Sequence, residues 1–168
     1  MPSVTQPLRD EHRELLPQLE LVKDAADSIG EISQQDLDAR VKAALAFLRG
    51  GLLPHAQAEE AALYPVVGRL MGSPMATATM SVDHKMIAHG TGEVAEAAAH
   101  LPNASDADLK QLRTALYAVY AVTRVHFVKE EQVYLPLLDE KLDEGAAHAM
   151  FEALEAAAHE AKAKVASA

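Results

Sequence analysis

The sequence predicts an all-α fold: an up-down-up-down four-helix bundle built from a duplicated helical hairpin, with a fifth helix at the C-terminus. Three observations carry this. Alanine, leucine, glutamate and valine dominate while aromatics make up only 4%, a composition that favours helix over sheet. Apolar residues recur at steps of three and four, the period of one helix face. The second half of the chain repeats the first: HAQAEEAALYP at residues 55–65 and HFVKEEQVYLP at 126–136 both read H-x3-E-E-x4-P, 71 residues apart.

The helices follow in order. Leu8, His12, Leu15, Leu19, Val22 and Ala26 form the stripe of the first, which Gly30 ends. Ser33, with Asp36 three residues on, resembles an N-cap with aspartate in place of the usual glutamate of a capping box. From there Leu37, Val41, Ala44, Leu48 and Leu52 lead to His55 and Glu59, and Gly72-Ser73-Pro74 separates the halves. Met80, His84, Ile87, Thr91, Val94 and Ala98 repeat the first stripe at an offset of 72, and Pro102-Asn103 marks the second hairpin turn. Ser105 and Asp108 repeat the cap, after which Leu109, Leu112, Leu116, Val119 and Thr123 lead to His126 and Glu130. The offset falls from 72 to 71 between Leu37 and His55, and Gly50-Gly51 is the place for the extra residue. Pro17, Pro54, Pro65 and Pro136 are expected to kink or end helices. Residues 1–142 are assigned to the bundle. Residues 143–168 form an alanine-rich helix whose Met150, Phe151 and Leu154 pack on the bundle or in an oligomer contact.

The formal charge of −10 argues against nucleic acid or an anionic membrane as partner. No run of about 20 apolar residues is present to cross a bilayer, and the first residues lack the basic and apolar segments of a secretory leader. With no cysteine there is neither disulfide nor thiolate chemistry. The expectation is a cytoplasmic monomer or homodimer.

At about 1.5 Å per helical residue, His12, His55, His84 and His126 fall in one layer of the bundle, each on an inward stripe. Glu59 and Glu130 lie one turn further along on the same face. An ionised carboxylate left alone in a core costs many kcal/mol, so it protonates or finds a cation. No lysine or arginine falls on the inward stripes near this layer, which leaves metal ions. Two carboxylates can bridge a pair, with His12 and His55 on one ion and His84 and His126 on the other. Imidazole and carboxylate without sulfur suit iron, manganese, zinc or copper alike.

These residues resemble the hemerythrin-like family, the HHE cation-binding domain, over about residues 8–138. The resemblance implies the bundle fold and a non-haem di-iron centre, carboxylate-bridged and oxo- or hydroxo-bridged. It also implies a small diatomic molecule or peroxide as ligand. Ferritin-like di-iron bundles carry Glu-x-x-His, and no histidine here has glutamate three residues before it. Members that carry oxygen reversibly have H-x3-H on the third helix, where this chain has Ala88; His89 lies five residues after His84, roughly 140° round the helix. It coordinates only if a π-bulge or Gly90-Thr91-Gly92 swings it inward, and is otherwise a solvent-exposed histidine.

Four residues after Glu130, Tyr134 is a candidate donor to a bridging carboxylate, a candidate ligand, or packing; Tyr64, five residues after Glu59, is less well aimed. Glu60 and Glu131 are second-layer carboxylates or additional ligands. Several functions follow from this site. One is reaction with a small oxidant in oxidative or nitrosative stress, by catalase-like peroxide decomposition or nitric-oxide metabolism. The others are reversible oxygen binding and storage, a regulatory module sensing iron or oxygen, and structural zinc.

Overall fold

Hydrogen bonds at the two predicted serine caps start the second helix of each half. The computed structural model describes residues 3–167. The first helix, α1 (Gln6–Asp27), ends where Gly30 takes φ +86°, a left-handed conformation that glycine adopts without a Cβ clash. Ser33 then accepts from the Asp36 backbone N–H, opening α2 (Gln34–Phe47). The rod that α2 begins continues through a π turn at Leu48–Leu52, α3 (Leu53–Ala58), a second π turn at Glu59–Leu63 and α4 (Tyr64–Leu70). Gly72, at φ +66°, turns the chain into α5 (Ala78–Ala99). A complete capping box at Ser105 and Asp108 opens α6 (Asp106–Lys129), which runs through a π turn at Glu130–Tyr134 into α7 (Leu135–Lys141). Asp143 accepts from Ala146 N–H and caps α8 (Glu144–Ala166). The result is a four-helix bundle plus a C-terminal fifth helix, as the sequence predicts.

The π turns account for the two irregularities of the repeat. The turn at Leu48–Leu52, closed by Leu53 N–H on the Leu48 carbonyl, absorbs one more residue than an α turn, and α6 has no counterpart to it. It contains Gly50 and Gly51, so the extra residue of the first half lies where the offset changes. The other two π turns, Glu59–Leu63 and Glu130–Tyr134, are equivalent, and each is followed one residue later by the motif's proline, Pro65 or Pro136. Proline has no N–H to give to the preceding turn, so the α-helical bonding changes there without ending the rod. Through Pro17 α1 runs on unbroken.

Two apolar clusters fill the interior. One, toward the hairpin turns, includes Leu15, Leu19, Val22, Val41, Leu52, Ile87, Leu112, Leu116 and Phe127. The other joins Leu8, Leu63, Tyr64, Met80, Leu135 and Leu138 to Met150 and Leu154 of α8. At about 1.5–3 kcal/mol for each fully buried large side chain, these clusters hold the helices together. Between them lies a polar layer: His12 falls between Leu8 and Leu15, and His84 between Met80 and Ile87. Helices α5 and α6 approach closely at Gly90, where a Cβ would stand 2.5 Å from Val119 Cγ2. No described helix is long and apolar enough to cross a membrane.

Candidate metal centre

Each rod contributes one histidine to the polar layer: His12 from α1, His55 from α3, His84 from α5 and His126 from the last turn of α6. The two matched π turns add Glu59 and Glu130, both 0% exposed. A π turn stacks residue i+5 over residue i, and the Glu59 and Glu130 carbonyls accept from the backbone N–H groups of Tyr64 and Leu135.

All four Nε2 atoms face the interior. Glu59 Oε1 lies 3.3 Å from His55 Nε2 and 4.0 Å from that of His12, while its Oε2 lies 3.3 Å from His84 Nε2 and 3.8 Å from that of His126. Glu130 spans the layer in the other sense, with Oε2 3.4 Å from His12 Nε2 and Oε1 3.3 Å from His126 Nε2. The donors fall into two sets, each with its ligand atoms within 4.8 Å of one another: His12, His55, Glu59 and Glu130, and Glu59, His84 and His126.

A carboxylate stands against the other face of every ring. Glu131 Oε1 accepts from His12 Nδ1 at 2.8 Å, Glu60 Oε1 from His84 Nδ1 at 3.0 Å, and Asp83 Oδ2 from His126 Nδ1 at 3.2 Å. Glu11 Oε1 lies 3.3 Å from His55 Nδ1. The arrangement follows the repeat: Glu11 and Asp83 each serve a histidine of their own half, while Glu60 and Glu131 cross to the other. An ionised carboxylate only accepts, so the bonded Nδ1 atoms carry the proton and Nε2 turns a lone pair inward, the orientation that second-layer carboxylates impose on metal-binding histidines.

The electrostatics follow from burial against these carboxylates. Burial pushes His12 and His55 down, but the surrounding glutamates, Glu59 chief among them, bring both above the ordinary histidine value. Burial likewise opposes charge on His126, yet Glu130 and Glu59 raise it to about 10. Glu59 is raised by burial and lowered further by His55, His12 and His126, ending well below the ordinary carboxylate range. Burial, the negative charges of Glu59 and Glu130 and the bond to Glu130 all raise Tyr64, so its phenol stays neutral.

The residues present fit metal ions. His12 Nε2, His55 Nε2, both oxygens of Glu59 and Oε2 of Glu130 are buried with no hydrogen-bond partner among the described residues. His84 and His126 face each other Nε2 to Nε2 at 3.0 Å, two lone pairs that repel without a cation or proton between them. The two sets of buried histidine and glutamate are consistent with a binuclear metal site.

Of the residues singled out in the sequence, His12, His55, Glu59, His84, His126 and Glu130 converge here, and Glu60 and Glu131 stand in the layer behind. His89 does not join them. Because α5 is regular through Gly90, the five-residue spacing from His84 leaves its side chain 69% exposed, 3.7 Å from Glu93. Tyr134 is also absent from the cluster, and its hydroxyl donates to the Ala76 carbonyl at 2.9 Å. Its place is taken by Tyr64, whose hydroxyl donates to Glu130 Oε1 at 3.1 Å and lies 3.2 Å from His84 Nε2. The cause is the π turn, which carries the fifth residue, not the fourth, onto the inward face. Glu11 and Asp83, which stand immediately before His12 and His84, occupy matched positions of the repeat. Phe127, which stacks on His12 at 4.6 Å and meets His55 edge-on at 5.8 Å, gave no signal beyond its apolar character.

Comparison with known families returns the hemerythrin HHE cation binding domain, matched twice, over residues 3–82 and 75–168. Searches of curated proteins and of solved structures return no significant match. The two family matches together span nearly the whole chain and each contains one copy of the H-x3-E-E-x4-P motif; with the paired histidine and glutamate sets at the bundle's centre, this protein belongs to the hemerythrin HHE cation-binding family.

Proposed function

We propose that the centre holds two iron ions and reacts with a small oxidant, peroxide or nitric oxide, in defence against oxidative or nitrosative stress. In this reading His12 and His55 would hold one ion and His84 and His126 the other, with Glu59 and Glu130 shared between the two pairs. The observation that carries it is the inward convergence of four imidazole Nε2 atoms and two wholly buried carboxylates, with the Tyr64 hydroxyl as the one neutral donor among the described groups around them. Iron is the metal that the hemerythrin resemblance implies; bound there, it would supply electron transfer and open positions for a small molecule.

The chain's own side chains set the conditions. Glu11, Glu60, Asp83 and Glu131 orient the rings and raise their basicity. Phe127 and the apolar clusters exclude water from the interior. Tyr64 keeps its proton and holds it at Glu130 Oε1, 3.2 Å from His84 Nε2. Reversible oxygen storage, the alternative, calls for a third histidine on one ion. The outward direction of His89 weighs for turnover over storage.

Metal analysis with an absorption spectrum of freshly purified protein tests the reading. Two irons per chain are expected, falling below one in Glu59→Ala, together with consumption of peroxide or nitric oxide by the iron-loaded protein. Zinc in place of iron, or an iron-loaded protein inert to both oxidants, sinks it.

A further inference from the structure

The duplicated halves finish the outside of the centre differently. Behind His12, Glu131 Oε2 pairs with Arg9 Nη1 at 2.5 Å, and Arg9 Nη2 reaches Asp139 Oδ2 at 3.1 Å. Thr5 closes the group, its N–H and hydroxyl donating to Asp139 Oδ1 at 3.0 and 2.8 Å. The offsets of 71 and 72 identify the matching positions of the first half. Glu60 matches Glu131, Ser81 matches Arg9, Gly68 matches Asp139 and Thr77 matches Thr5. Ser81 Oγ donates to Glu60 Oε2 at 2.9 Å, the bond that Arg9 makes to Glu131. Serine lacks the length of arginine, however, and Gly68 has no side chain for it to meet. The space stays open as a cavity of about 470 Å³, lined by Glu60, Tyr64, Gly68, Arg69, Thr77 and Ser81.

That cavity ends at Tyr64 and Glu60, just outside the six converging residues. Tyr64 forms part of its wall and at the same time places its hydroxyl 3.1 Å from Glu130 and 3.2 Å from His84. The side it meets carries His84 and His126, with Glu59 and Glu130 beside them. The opposite side is covered by Phe127 on His12 and His55, and the residue matching Phe127 in the first half is Ala56. A second cavity, about 410 Å³ between α1 and α8, ends at Glu11, behind the His55 ring, with no lining residue that points into the cluster. The first cavity offers the Thr77 hydroxyl and the exposed Arg69 at its rim, while the Ser81 and Tyr64 hydroxyls in its wall already donate to Glu60 and Glu130. Arg69 and Thr77 can donate to a small anion or a peroxide-sized polar oxidant, with the Ser81 oxygen and the Glu60 carboxylate beside them as acceptors, in a volume within the range of small-molecule sites.

We propose that this cavity is the entry port and holding site through which small anions and peroxide-sized oxidants reach the His84 side of the centre, and that Arg9 locks the duplicate mouth. The proposal rests on the metal-centre reading above. It makes one side of a symmetric site the working side through residues that ligate nothing.

The chain has no cysteine, so single cysteines introduced at Arg69→Cys and at its matching position, Glu140→Cys, can each be labelled with a bulky maleimide after folding and metal loading. Azide, a small anion that ligates iron, is the probe; its binding to the iron-loaded protein is followed by absorbance, with metal content measured before and after labelling. Labelling at position 69 is expected to slow azide association by about tenfold or more, and labelling at 140 by less than about twofold, at unchanged metal content. Ser81→Arg, which rebuilds the lock against Glu60, is expected to act in the same direction as the label at 69. Equal slowing at both positions, no slowing at 69, or failure of azide to reach the metal in unlabelled protein overturns the port. A protein that admits azide by this route yet consumes neither peroxide nor nitric oxide keeps the port and loses the proposed function.

Discussion

Tyr64 and Tyr134 show how one backbone turn decides which side chain meets the chemistry. On an α-helix the residue four positions after Glu130 shares its face, which would select Tyr134. The π turns instead place the fifth residue there, tyrosine in the first half and Leu135 in the second, so only one side of the layer receives a phenol. A buried hydrogen bond to a charged acceptor contributes about 1.5–3 kcal/mol. Tyr64→Phe is therefore expected to destabilise the metal-free bundle by about that amount in urea unfolding, with no loss of helix content. His89→Ala serves as the contrast: being exposed, it should change stability by less than about 0.5 kcal/mol and leave the metal stoichiometry as it was. Loss of metal in His89→Ala would restore that residue to the site.

At the scale of elements, the rods carry insertions at defined points. The π turn at Leu48–Leu52 holds one residue more than the matching stretch of α6. A Cβ built on Gly50 would meet nothing within 4 Å. Deleting Gly50 is thus expected to convert this turn to regular α-helix and leave His55 and Glu59 in place. The protein should still fold and bind metal, at a cost of about 2 kcal/mol or less. Deleting Ala121, in the uninterrupted α6, has no such slack: it rotates His126 and Glu130 by about 100° relative to the preceding turns and should abolish metal binding. Circular dichroism and metal analysis of the two deletions distinguish these outcomes, and equal damage from both would refute the role given to the π turn. The stripes, both serine caps and the Gly30 and Gly72 turns were legible in the sequence because they depend on neighbours within a few residues. Which tyrosine turned inward was not, because propensity gives little warning of a π turn.

For the molecule as a whole, α8 is tied to the centre through the second apolar cluster. It packs on α3 and on the π turn that carries Glu59, burying Met150 and Leu154 with Leu63 and Tyr64. At about 1.5–3 kcal/mol for each buried side chain, cutting the chain after Leu142 is expected to remove about 3–6 kcal/mol of stability. Thermal unfolding should fall accordingly, and metal should be lost faster during dialysis against a chelator. A truncated protein with unchanged melting temperature and metal retention would mean that α8 contributes nothing to the site.

The sequence by itself determined the architecture and the composition of the polar layer. A duplication written in periodic stripes brings four histidines and two glutamates to one level whatever the details of packing, because register along a helix is local. Only the tertiary structure decided the rest: Tyr64 over Tyr134, the outward turn of His89, the carboxylate behind each imidazole, and one mouth locked by Arg9 while its duplicate stays open. These depend on a changed hydrogen-bond step within a rod and on contacts between residues as far apart as Arg9 and Asp139. No periodicity along the chain records either of them.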